Sequence, residues 1–184
     1  METGTGPLAS GTYEKLHQQQ RLYERLRNYS SRIQTMGNTI IIPTDGSEYA
    51  ENAAEVGFDI AGKMDATIHA LAVGDLNLTQ ISSVGGPPPK TKDDVTELAA
   101  GWATDLVELA EDAALEAEAV VRVGKPADEI ATYAGEIDAD MVVIGTAGRS
   151  GLERRLIGSV TNEVVQTAPV PVVTVRPDGS VDAA

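Results

Sequence analysis

The residues with the clearest capacity for chemistry are glycines and hydroxyls gathered near the carboxyl end. Gly145-Thr146-Ala147-Gly148-Arg149-Ser150-Gly151 is followed by Gly158-Ser159-Val160-Thr161. Glycines at 145, 148 and 151 let the backbone turn tightly and bring its amides up to an anion, where a side chain would hold the ligand away. Ser150, Ser159 and Thr161 add hydroxyl donors, and Arg149, Arg154 and Arg155 add positive charge. Such a set suits two or three phosphates. The glycines alone also suit a tight turn without a ligand, Ser159 an internal bond to the preceding turn, and Arg149 a contact with water or a neighbouring carboxylate. Two familiar phosphate sites are excluded. No Gly-Lys-Ser or Gly-Lys-Thr follows the turn, Gly124-Lys125-Pro126 fails that pattern too, and the first turn, Thr44-Asp45-Gly46-Ser47, lacks the three glycines of a dinucleotide fingerprint.

Machinery for turnover is sparse. The two histidines are His17, near the amino terminus, and His69, in the middle of an apolar run that reads as a strand. Neither belongs to a His-x-x-x-His or carboxylate-histidine set with metal-ligand spacing. Cysteine is absent, which removes thiol catalysis, thiolate metal sites and disulfides. With 28 acidic against 14 basic side chains and a formal net charge of −14, the chain lacks the cation excess of a general nucleic-acid binder. Such acidity fits either an ordinary acidic cytoplasmic protein or one adapted to a very salty cytoplasm, where screening makes self-repulsion tolerable; few lysines and many small residues fit the second. No apolar run reaches membrane-spanning length and no secretory signal is present, so a cytoplasmic location without membrane association is expected.

The elements that must position these groups follow from hydrophobic patterning. Residues 1–37 read as a flexible tip and an amphipathic helix from about Thr12 to Gln34. This helix is basic, with Lys15, Arg21, Arg25, Arg27 and Arg32, and is expected to dock on the acidic body, a sister subunit or a protein partner. Five alternating units then occupy residues 38–176. Thr39 to Pro43 is a strand with three consecutive isoleucines, and Ser47 caps a helix from about Glu48 to Gly62. A strand from Ala66 to Val73 leads through a glycine- and proline-rich loop, Gly74 to Lys92, into a helix from Asp93 to about Glu116. Its apolar stripe is Val95, Leu98, Trp102, Leu106, Leu109 and Ala113. A strand from Glu118 to Val123 precedes a helix opened by Pro126 and ending near Asp138. Met141 to Ile144, a helix from about Leu152 to Thr167 and a strand from Val170 to Val175 complete the series, with Pro169 and Pro171 arguing for an edge position of that strand. Residues 177–184 read as a disordered tail. The alternation predicts a three-layer α/β/α fold with a parallel sheet, and ligands in such a sheet bind outside the carboxyl ends of the strands. Asp45, closing the first strand, serves there either as a helix cap or as a ligand contact.

The chain resembles the universal stress proteins of the UspA family. Their nucleotide-binding pattern is glycine, two residues, glycine, nine residues, glycine, then serine or threonine, and it stands here as Gly145, Gly148, Gly158 and Ser159. Ile40 to Ser47, Val123 to Pro126 and Ala139 to Val175 resemble further stretches of the family. The resemblance implies an adenine nucleotide alpha hydrolase-like fold, with a five-stranded parallel sheet of order 3-2-1-4-5. It implies ATP, ADP or AMP as ligand, with Mg²⁺ held mainly by the phosphates. Pro43, Thr44 and Asp45 would approach the nucleoside and Val73 the adenine. Gly145 and Gly148 would line the ribose-phosphate path, with Arg149 a candidate source of charge beside it, while Gly158, Ser159 and Val160 cradle the phosphates. A homodimer through Val172 to Val175 is also implied, with a regulatory role in the stress response rather than rapid catalysis.

Overall fold

Why three isoleucines stand side by side is explained by what lies above and below them. In the computed structural model, which describes residues 38–75, 91–146 and 157–183, β1 (Asn38–Thr44) has a neighbour on each edge and a helical layer on each face. Ile40 and Ile42 point into one core with Ala53, Ala54, Ala61, Leu106 and Ala110, whereas Ile41 points into the other with Ile130, Tyr133, Ala134 and Val164. All three isoleucines are fully buried. Each such burial is worth about 1.5–3 kcal/mol, so the strand anchors both layers at once.

The helix α1 (Glu48–Met64) runs back along the sheet, held at its start by Ser47, whose hydroxyl accepts from the Ala50 amide. Gly57 lets it approach closely, since a Cβ there would meet Ile42 Cδ1 at 2.5 Å. After β2 (Ala66–Gly74), α2 (Lys92–Asp112) opens with a reciprocal cap in which Thr91 Oγ1 accepts from the Asp94 amide and Asp94 Oδ2 from the Thr91 amide. The apolar face of α2 differs from the expected stripe. Ala99, Ala103 and Ala110 are buried beside Val95, Trp102 and Leu106, while Leu109 is 44% exposed and Ala113 lies past the helix. Alanines allow the helix to lie close to the sheet, which turns it away from its bulkier leucine.

The strand β3 (Ala117–Val123) leads into α3 (Pro126–Glu136), with Pro126 in the first turn and Asp128 and Glu129 beside the helix's positive end. Then follow β4 (Met141–Gly145), α4 (Ser159–Thr167), β5 (Val172–Val175) and β6 (Val181–Ala183). β1 to β5 are parallel in the order 3-2-1-4-5, as expected, with α1 and α2 packed on one face and α3 and α4 on the other.

Two sequence expectations need correction. The last helix begins at Ser159, because Gly158 has extended backbone angles. The tail, expected to be disordered, instead returns as β6, pairing antiparallel with β5 from Val175↔Val181 to Val173↔Ala183. Its turn is closed by Arg176 and Gly179 backbone bonds and by Asp178, whose carboxylate accepts from the Ser180 amide and hydroxyl. The outer edge of β5, which the family resemblance would give to a second subunit, is therefore occupied by the chain itself. The amino-terminal helix and the loop from Gly74 to Lys92 lie outside the described residues, apart from the loop's first and last few.

Candidate functional site

Chain direction across the sheet reverses between β1 and β4. From β1 the next two strands are added on one side, through β2 and β3, and the last units on the other. In a sheet of this order the carboxyl ends of the two strands at the switch point lead to opposite faces, and the crevice between them is the expected ligand position. β1 and β4 pair at Ile40↔Met141 and Ile41↔Val142, which brings Thr44 and Asp45 alongside Gly145 and Thr146.

The β1 side of the crevice is a tight turn. Thr44 is buried and its Oγ1 accepts from the Gly46 amide at 3.1 Å. Asp45 is half-buried, and its Oδ1 accepts from the Ser47 amide at 3.2 Å and the Ser47 hydroxyl at 2.5 Å. Asp45 is thus tied to the start of α1 through Ser47, while Ser47 supplies the cap itself. Gly46 has φ +70°, a left-handed conformation that favours glycine. Pro43 is buried in the strand, and Val73 is buried at the end of β2.

The β4 side is made by two bonds that fold the chain back onto the strand end. The Gly158 amide donates to the Thr146 carbonyl at 2.8 Å, and the Thr161 hydroxyl donates to the Gly145 carbonyl at 2.7 Å. Thr161 was a candidate ligand donor by type; the structure buries it and commits it to the backbone instead. Both bonds place the first turn of α4 at the mouth of the crevice. This end of α4 is unlike those of α1 and α2, because Gly158 provides no side-chain cap and no acidic residue lies in the first turn. Among the described residues no side chain caps its leading amides, and the positive end of its dipole suits an anion. Ser159 is exposed there and Val160 is half-buried against the α3–α4 core. Gly148 and Arg149 lie outside the described residues.

Residues 36–176 match the model of the universal stress protein family. The chain belongs to that family. The Universal stress protein MJ0531 of Methanocaldococcus jannaschii is 34% identical over 141 residues, 74% of this chain and 81% of that protein. Among solved structures, the universal stress protein UspA from Lactobacillus plantarum matches with 26% identity and a TM-score of 0.59, covering 77% of this chain and 99% of that one. A universal stress protein from Archaeoglobus fulgidus in complex with dAMP shares the fold, with 24% identity and a TM-score of 0.56 over 74% of this chain and 96% of that one.

Away from the crevice, this universal stress protein carries a second polar group on the α3 side of the sheet. His69 Nδ1 lies 2.8 Å from the Tyr133 hydroxyl and His69 Nε2 lies 3.2 Å from Glu118 Oε1. In the neutral imidazole, Nε2–H donates to the carboxylate and Nδ1 accepts from Tyr133. Burial lowers the His69 pKa below its ordinary value, against the opposing pull of Glu118, and burial raises that of Tyr133. Arg122 donates to Glu129 and Glu136, whose hydrogen bonds raise its pKa, and its guanidinium lies 5.4 Å from the centre of the Tyr133 ring. Lys125 pairs with Glu163 and Asp128, tying the loop before α3 to α4. These groups join β2, β3, α3 and α4. Apart from the local Lys125–Asp128 pair, these pairings cross between elements, so sequence types alone did not disclose them. Among the described residues, no cluster of three or more His, Asp and Glu side chains suits a metal ion, and no helix is long and apolar enough to cross a membrane.

Proposed function

We propose that this universal stress protein binds an adenine nucleotide (ATP, ADP or AMP) in the crevice between β1 and β4 and acts as a nucleotide-dependent regulator in the cytoplasm. The observation that carries the reading is the uncapped, acid-free start of α4 at the strand switch point. Gly158, Ser159 and Val160 would receive the phosphates there, with Gly145, Gly148 and Arg149 along the ribose-phosphate path. Pro43, Thr44, Asp45 and Val73 would frame the nucleoside. The dAMP complex of the A. fulgidus relative supports an adenine ligand on this fold. Mg²⁺ would travel with the phosphates. Binding is favoured over turnover because His69, a natural candidate for a base, is in the middle of β2 and is engaged by Tyr133 and Glu118. Capture of a partner by the basic amino-terminal segment belongs to the same proposal.

Gly158→Asp tests the phosphate end without sacrificing the fold. Gly158 has φ −61° and ψ 155°, angles open to any residue, and among the described residues an added Cβ would make an ordinary 3.5 Å contact with the Thr146 carbonyl. Aspartate at this position is a good helix cap, so stability should hold or rise by roughly a few tenths of a kcal/mol. The same carboxylate would occupy the phosphate position, and ATP affinity measured by calorimetry should fall at least about tenfold. Unchanged affinity in the folded variant would remove the assignment. Mass spectrometry of small molecules released from the purified wild type should show which adenylate accompanies the protein.

A further inference from the structure

The turn carrying Asp45 is held from beneath by a residue from a distant element. A Cβ built on Gly46 would lie 2.5 Å from Trp102 Cδ1 and 2.7 Å from Trp102 Nε1, so the indole edge sits against the Gly46 backbone. Trp102 is only 8% exposed and packs with Ala72, Ala99 and Ala103. Ala72 directly precedes Val73 on β2. One side chain therefore braces the turn after β1 and the end of β2 together. Elsewhere the α2 face is largely alanine and the helix can lie close to the sheet; its one large ring comes where two strand ends open into the crevice.

Within the turn, the Gly46 amide donates to Thr44 Oγ1, and the Ser47 amide and hydroxyl donate to Asp45 Oδ1. These bonds shape the turn itself. The indole, packed against both Gly46 and Ala72, links the turn to β2. We propose that Trp102 is a positioning residue for the nucleoside end of the site: it sets the separation between the Asp45 turn and the Val73 strand end, acting through Gly46 and Ala72 without touching the phosphates. This inference rests on the nucleotide-binding reading. It gives Trp102 a role that burial alone does not require, and it predicts that ligand occupancy alters the fluorescence of the chain's single tryptophan.

The test separates the two ends of the ligand. Calorimetry with ATP and with inorganic tripolyphosphate is run on the wild-type chain, Trp102→Phe and Gly46→Ala, with hydrogen exchange of the ligand-free proteins alongside. Trp102→Phe narrows the brace, and Gly46→Ala displaces it from the other side. Each variant should lose about tenfold in ATP affinity, equivalent to about 1.4 kcal/mol, while binding tripolyphosphate as the wild type does. Exchange should quicken at the Gly46 and Ser47 amides, with the β4 and α4 amides unchanged. Equal ATP affinity in folded variants, or a matching loss for ATP and tripolyphosphate, would reduce Trp102 to a core residue and overturn the inference. Failure of the wild type to bind ATP would overturn the nucleotide reading and this inference with it, whereas a defect confined to the variants speaks to Trp102 alone.

Discussion

At the scale of single residues, position decides what a polar group does. The Thr161 and Ser159 hydroxyls are two residues apart, yet one is buried against the Gly145 carbonyl and the other is exposed at the helix start. His69 illustrates the same dependence with a measurable outcome. Its folded pKa is lowered, so the unfolded chain binds the proton more tightly than the native one. Stability from this residue is complete above its ordinary pKa of about 6.5 and is lost as pH falls from there through the lower folded pKa. His69→Gln keeps a polar group beside Tyr133 and Glu118 but cannot titrate. Denaturant unfolding should show wild-type stability dropping more steeply than the variant's between pH 7 and pH 5, and parallel pH profiles would contradict the assignment. Much of the candidate site was readable at this scale. Asp45, Gly145, Gly158 and Ser159 are ordered by spacing along the chain, and the structure gathers them at one crevice. The contact of Trp102 with Gly46 was not readable, because it joins separate elements and depends on how closely an alanine-faced helix approaches the sheet.

At the scale of elements, alternation of strand and helix was visible because most strands are short apolar runs and α1, α2 and α3 begin with a recognisable cap or proline. Boundaries suffered where local signals were silent. Helix α4 begins at Ser159 rather than near Leu152, since an extended Gly158 is compatible with either reading of the sequence. β6 was missed for a different reason: Val181–Ala183 has little strand character of its own and pairs because β5 offers an unpaired edge. That edge supplies a prediction. Ending the chain after Arg176 should bare the outer side of Val172–Val175 and raise the fraction of dimer seen by sedimentation at equal protein concentration. A truncated chain with unchanged association would show that β6 does not guard this edge.

At the scale of the molecule, a formal charge of −14 opposes compaction, and screening should relieve it. Raising salt from 0.1 M to 1 M shortens the Debye length from about 10 Å to about 3 Å. The thermal midpoint should then rise by at least about 5 °C, which corresponds to roughly 2 kcal/mol for a chain of this size. A midpoint independent of salt would remove self-repulsion as a factor in stability. The sheet's connectivity has a consequence of another kind. β1, β2 and β3 join through successive crossovers, but β4 reaches β1 only after the intervening units, and Asp140 accepts from the Thr39 amide across 101 residues. Closing so long a loop is slow and entropically costly. The crevice has one wall on each side of that seam, so it exists only when both halves of the sheet are docked. A bound nucleotide would draw the folding equilibrium toward the closed seam, and ligand binding would thereby mark the chains whose folding is complete.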